Sequence, residues 1–447
     1  MRNKTDQWSS KLGFILSSAG AAIGLGAIWK FPYMTGMNGG GAFFLLFIAF
    51  TILIGLPILI AEFIIGRGAQ KEAISAYKTL APKSGWSIIG IWGAIGSFLL
   101  LSFYSVVGGW VLIYSLLSIP GMIIKDNADY AELFATVTGN PFVTIAGLAI
   151  FLIINIIVIS FGIKNGIEKS SKVLMPLLLL FFIILVVRAV TFEGAMEGIL
   201  FFLQPDFTQL TGESVLYALG QSFFSLAVGF SVMVTYSSYL TKDVSLPMSA
   251  GSVSIMNIVV SLLAGLAIFP VVFAFGLEPA EGPGLLFIVL PEAFAQMPFG
   301  ELFLSLFLLL FLFAILTSSF SMLEIITSAF TEKKERSRTK VAWIAGLVIF
   351  IAGIPASLSS SNLAEFKIFG LTVFDATDFL VSNIMLPGGC LLIALFIGFK
   401  MDKTLMKREF SYSNSLSSTM YTVWFQLMRW VVPLTIIIVF LGSLGLI

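Results

Sequence analysis

The sequence predicts an all-α protein that crosses a membrane many times, built as two inverted repeats of five helices within one transmembrane domain over 1–447. Three observations predict it. The 447 residues are 58% hydrophobic and 11% charged, against roughly 25% charged in ordinary soluble domains. Apolar runs of about 20 residues, long enough to cross a bilayer as a helix, recur along the chain. Two of these runs, five apart, are interrupted by small residues, which is the best sequence pointer to an inverted-repeat carrier. The runs are too long and continuous for barrel strands, the other structure that satisfies its backbone in lipid.

Taken in order, the first expected span, 11–36, contains "SSAGAAIGLGAIWKFPY", Ser17 to Tyr33. Its glycines at 20, 24 and 26 each weaken a helix by about 1 kcal/mol relative to alanine. Spans at 41–68, 88–121, 141–161 and 170–190 complete a first repeat, about 11–190. Residues 191–213 are too polar and proline-containing to span and read as a loop with short surface helices. The second repeat, about 214–398, opens with a span at 214–240 carrying "QSFFSLAVGFS", the second small-residue interruption. It continues at 249–276, 303–330, 341–357 and 372–398, with 277–302 read like 191–213. A last helix, about 425–446, brings the expected total to eleven.

Charge orients these spans, because cytoplasmic loops collect Lys and Arg. With the N-terminus inside, Arg67, Lys71, Lys78, Lys164, Lys172, Arg338, Lys340, Lys403 and Arg408 all fall on the cytoplasmic side, whereas the opposite face keeps Lys125 and Lys367. The expected location is a bacterial inner membrane. The single cysteine, Cys390, excludes an intramolecular disulfide, and the absence of histidine removes the commonest metal ligand. No nucleophile–base pair and no phosphate loop points to an enzyme or an ATP-driven pump. The net charge of +1 points to no nucleic-acid partner. The expected partners are a small solute and membrane lipids, around a monomer or homodimer.

The first interruption can do chemistry. Unwinding near Ala22 to Gly26 frees carbonyls for a cation and amides at the positive end of a half-helix for a carboxylate. Lipid does not tolerate such groups, so they must line a cavity within the protein. The competing reading is close helix packing through Gly20-x-x-x-Gly24; the second interrupted run favours a site. Two carboxylates, Glu62 and Glu324, lie at membrane depth, where ionisable residues are costly. Glu324 reads either as a proton site or as a group reaching a cytoplasmic vestibule.

"GAAIGLGAIWKFPY" followed by "NGGGAF", then "FYSVVGGW", "GQSFFSLAVGFSVMVTYSSY" and "LTSS", resembles the neurotransmitter:sodium symporter family, with the LeuT fold, over nearly the whole chain. The resemblance implies a sodium-coupled symporter that imports a neutral amino acid by alternating access. It implies a sodium site at the carbonyls of Gly20, Ile23 and Ala314 and the hydroxyls of Thr317 and Ser318. A first sodium site of the family would fall on Ala22, Ser225 and Asn257. Ala27 replaces the usual asparagine there, so that site is expected to be weakened and coupling to use one sodium. Chloride stays open between a site at Gln221, Ser225 and Ser261 and no dependence.

The same resemblance implies a substrate cradle at Ala22, Leu25, Gly26, Tyr104, Phe224 and Ser225, walled by Leu100, Ala227, Phe230, Ser319 and Met322. Gly24 offers no acid to meet an amine, so the substrate brings its own carboxylate, and the apolar wall favours a neutral aliphatic or small aromatic side chain. The implied outer gate is Lys30 facing Asp378. The implied inner gate gathers Trp8, Ser238, Tyr239 and Glu332, with Thr5 where the family has arginine. Glu62 is expected to brace the unwound sixth helix. Two rival readings remain: a proton- or single-sodium-coupled carrier of an amino sulfonate or osmolyte, and a substrate-gated channel or sensor.

Overall fold

The computed structural model describes residues 7–125, 128–277, 284–334, 337–412 and 418–443, with the side chains of 332–334 and 443 excepted. Among these residues nine helices are long and apolar enough to cross a membrane, and a bent pair, Lys11–Ala22 with Gly26–Met37, makes a tenth. We number the helical segments in chain order. The bent pair is the first and Gly41–Ala69 the second. Gly85–Ser118, Pro141–Ser160 and Ile163–Ala189 are the third to fifth. The sixth expected span is in two pieces, Gly212–Leu226 and Val232–Ser237, each too short to cross alone. Leu246–Ala274, Gly300–Thr331, Arg338–Ser357, Val373–Phe399 and Ser418–Gly442 follow as the seventh to eleventh.

Prolines shape many of these helices. A widened π turn ends two residues before Pro32, Pro57, Pro291, Pro387 and Pro433, five of the six such turns described. The cause is local. Proline offers no N–H to the carbonyl four residues back and its ring crowds that carbonyl, so the preceding turn takes up slack. The remaining π turn, Ile163–Glu168, instead follows Gly162 at φ +81°.

The interior is dominated by the third and eighth helices. The third buries Leu100, Phe103 and Tyr104, and the eighth buries Ala314, Phe320 and Leu323. One expectation needs correction. Within 277–302, residues Leu285–Ala295 form an apolar helix, and Leu285, Leu286, Phe287 and Leu290 are buried rather than lying on the surface. Phe287 stacks on Phe134 and meets Trp110 and Tyr114 edge-on or tilted. The helix is therefore a plug held by aromatic packing. The 191–213 segment does carry a short helix, Ala195–Leu203, anchored through Phe202.

Candidate functional site

The first break ends a helix at Ala22 because Ile23 is extended (φ −84°, ψ 92°), with its N–H still bonded to Ala19 at 2.7 Å. The next segment begins at Gly26, 53° away in direction. A helix end leaves its last carbonyls without intrahelical donors. The glycines are required by their neighbours. A methyl at Gly24 would overlap the Tyr104 hydroxyl and Ser318, and one at Gly26 would stand 2.7 Å from the Phe224 ring. The Leu25 N–H donates to the Tyr104 hydroxyl at 3.2 Å.

The second break runs from Ala227 to Ser231. Ala227 and Ser231 take left-handed backbone (φ 51° and 57°), with Gly229 at φ 96° between them. Such conformations cost a non-glycine residue free energy and persist when the surroundings hold them. Here the holder is Glu62, fully buried, whose carboxylate accepts the Gly229 N–H at 2.7 Å and the Met233 N–H at 3.1 Å. A carboxylate at membrane depth is thus satisfied by orphaned amides of the broken helix.

Both breaks face one small cavity, about 20 Å³ of free space, enough for about one water molecule. Its lining brings together Ala22, Leu25, Gly26, Leu100, Tyr104, Phe224, Ala227, Phe230 and Met322 of the implied cradle and wall. Ser319 is not among the lining residues. It donates to Asn155 Oδ1 at 2.6 Å and to the Leu316 carbonyl at 2.9 Å. One residue is about 100° around a helix, so Ser318 faces the first helix while Ser319 turns to the fourth. Sequence reasoning also passed over Ser321, Val232 and Leu386, which do line the space. Only helical phase could have flagged Ser321, three residues beyond Ser318.

At the implied sodium constellation, the first and eighth helices touch. A methyl at Gly20 would stand 2.9 Å from Thr317 Cβ and 3.2 Å from its hydroxyl oxygen. Thr317 donates to the carbonyls of Phe313 and Ala314, both at 3.0 Å, and Ser318 donates to the Ala21 carbonyl at 2.9 Å. Both hydroxyls spend their hydrogens on carbonyls and keep oxygen lone pairs to offer a hard cation. At the other constellation, the Asn257 amide donates to the Ser225 carbonyl, while the buried Asn257 Oδ1 has no partner among the described residues. The Ser225 hydroxyl reaches only the Ser222 carbonyl, at 3.4 Å. Gln221 donates to the Gly26 carbonyl at 2.6 Å, and Gln221 Oε1 and Ser261 Oγ are buried without partners among the described residues.

The cavity is closed at both ends. On one side Lys30 Nζ lies 3.5 Å from Asp378 Oδ2 and donates to Ser382 at 3.1 Å, and Ser382 donates to Asp378 at 2.7 Å. The ammonium also sits 4.9 Å above the Phe224 ring, a cation–π contact that ties the gate to the cavity roof. Beyond it a wider space of about 520 Å³ carries Glu213, Asp375 and Asp378 on its wall.

On the other side the Trp8 indole N–H donates to the Tyr236 carbonyl at 2.8 Å and its backbone N–H to the Tyr239 carbonyl. The Tyr239 hydroxyl donates to Glu324 at 2.7 Å, and Arg338 pairs with the other oxygen of Glu324 while donating to the Ile159 carbonyl at 2.7 Å. Glu324 is fully buried, so it is a paired lock and not a group reaching a vestibule. Ser238 donates back to Thr235 at 2.7 Å. The side chain of Glu332, with Thr5, lies outside the described residues. Sequence reasoning missed Glu168, which accepts the Ser9 N–H at 2.7 Å and pairs with Lys172 at 2.6 Å. A lone acid among lysines 164, 169 and 172 was its available signal.

A broken helix pair around one enclosed cavity, gated at each end within a bundle of membrane-length helices, defines a membrane carrier. The chain belongs to the sodium:neurotransmitter symporter family, whose description matches residues 5–128 and 138–445. It is 52% identical over 444 residues to an uncharacterized sodium-dependent transporter, YhdH, of Bacillus subtilis, covering 99% of this chain and 98% of that one. It is 40% identical over 457 residues to an uncharacterized sodium-dependent transporter of Haemophilus influenzae, covering 99% of each. Among solved structures, MhsT in complex with L-phenylalanine matches with a TM-score of 0.92 and 40% identity, over 98% of this chain and 99% of that one. The chain is therefore a sodium-dependent secondary transporter of LeuT fold and not an enzyme.

Proposed function

We propose that this protein is a symporter that imports a neutral, hydrophobic amino acid, driven by sodium, through alternating access. The observation that carries the reading is the Leu25 N–H aimed at the Tyr104 hydroxyl beside the first break. An amide at a half-helix start and a phenol together make a carboxylate cradle. No acid stands at Gly24 to receive an amine, and the wall formed by Leu100, Phe224, Phe230 and Met322 is apolar. L-Phenylalanine bound to a similar protein agrees with that chemistry. The cavity is smaller than such a solute, so its walls must part for it to enter.

In this reading Gly20, Ile23, Ala314, Thr317 and Ser318 hold one sodium that fastens the first helix to the eighth. Sodium then favours one conformation over the other, as a coupled ion must. Ala27 contributes no side-chain oxygen to the Ala22, Ser225 and Asn257 constellation, so coupling uses a single ion. The chain forms eleven spans, the broken sixth counted as one, arranged as inverted repeats with the N-terminus in the cytoplasm of a bacterial inner membrane.

A thermal-shift screen of neutral amino acids, with and without sodium, tests the reading. Stabilisation by hydrophobic amino acids that requires sodium is the expected result. Stabilisation by amino sulfonates alone, or without sodium, rejects it. In reconstituted vesicles the sodium Hill coefficient should be near one, and a value near two removes the single-ion proposal. Tyr104→Phe should weaken substrate binding roughly 10- to 100-fold, the worth of about 1.5–3 kcal/mol for a hydrogen bond to a charged group, read by titration calorimetry.

A further inference from the structure

The third, eighth and ninth helices and the short Ala73–Leu80 helix leave a crevice of about 470 Å³ on the outer flank of the bundle, far larger than the central cavity. Ile74, Ile95, Phe98, Phe330, Val341 and Ile344 are among its walls. Ile95, Phe330 and Ile344 are about half exposed, so the slot opens toward the surroundings and not into the transport path. Its chemistry is hydrocarbon at the depth of membrane-length helices.

Charge at one end narrows the occupant. Lys78 is exposed one helical turn from Ile74 and on the same face. Lys340 is exposed beside Val341, where the ninth helix begins. Among the described residues, Glu72 caps its own helix by accepting the Ile74 and Ser75 N–H groups, and Glu324 is held by Arg338 and Tyr239. An apolar slot with a cationic mouth at the helix ends suits a lipid with an anionic head. We infer that the crevice binds one anionic phospholipid, an acyl chain in the slot and its phosphate at Lys78 and Lys340. The lipid then joins the helix carrying Tyr104 to those carrying Thr317 and Arg338, and so bears on the closed state. Only the choice of leaflet rests on the orientation proposed above.

The test uses the purified full chain in detergent, with dioleoyl phosphatidylglycerol against dioleoyl phosphatidylcholine. Phosphatidylglycerol should raise Tm several degrees more than phosphatidylcholine, and the excess should vanish in Lys78→Glu/Lys340→Glu. Ala94→Trp, which fills the slot, should abolish the response to both lipids. Native mass spectrometry of the wild-type and charge-reversed proteins gives a readout independent of how that variant folds: phosphatidylglycerol adducts should be retained by the first and lost by the second. Equal shifts from the two lipids, or an excess that survives charge reversal, overturns the inference. Efficient disulfide formation between copies through Ile344→Cys would instead assign the slot to a second copy.

Discussion

The two closures of the transport path differ in thickness. The one at Lys30, outer in the orientation proposed above, is a single layer: a partly exposed Lys30–Asp378 pair, Ser382 bridging it and Phe224 beneath, with a wide space directly above. The inner one is several layers deep. Trp8 is wedged against Phe14 and Tyr236, Glu168 ties down Ser9, and the fully buried Glu324 carboxylate is held by Tyr239 and a partly exposed Arg338. Exposed ion pairs are worth about 0–1 kcal/mol, whereas removing one partner of a buried pair costs about 3–5 kcal/mol. The comparison teaches that this closed state should part more cheaply at Lys30–Asp378 than at Trp8 and Glu324.

Substitutions at each end can break or sharpen that contrast. Arg338→Ala strands the Glu324 carboxylate and should have the largest effect, about 3–5 kcal/mol against the inner closure. Hydrogen exchange across Lys11–Ala22 should rise and Tm should fall; unchanged exchange there removes the inner lock. Glu168→Ala frees Ser9 and Lys172 and should cost about 1–3 kcal/mol, seen as faster exchange at the start of the first helix without loss of solute binding. Asp378→Asn should change stability by about 1 kcal/mol or less. It should act mainly on how fast solute leaves outward, measured by dissociation of bound radiolabelled amino acid. A larger effect at Asp378 than at Arg338 reverses the proposed order of the gates.

Much of this was legible in the sequence, for reasons particular to each element. The first break shows itself because glycines at 24 and 26 and Pro32 all oppose a helix there. The second was visible only as a weakening, since two of its three left-handed positions are Ala227 and Ser231 and not glycine. Which hydroxyl faces which helix depends on phase: Ser318 donates to the first helix and Ser319 to Asn155 of the fourth. Glu324 was visible as a costly charge, but its partner lies at the start of another helix, where local pattern says nothing of pairing. The buried Leu285–Ala295 plug looked like surface because its flanks are polar, while its burial comes from aromatic partners distant in sequence.

The π turn Leu380–Met385 places one gate residue, Ser382, inside the widened turn, while Asp378 lies just before it. Such a turn holds one residue more than α geometry needs. Relaxing it passes that residue along the helix, swinging what lies beyond by about 100° and advancing it about 1.5 Å. Pro387 thus leaves the tenth helix one residue of slack at Ser382, stored between the Lys30 contact and the packed helix below.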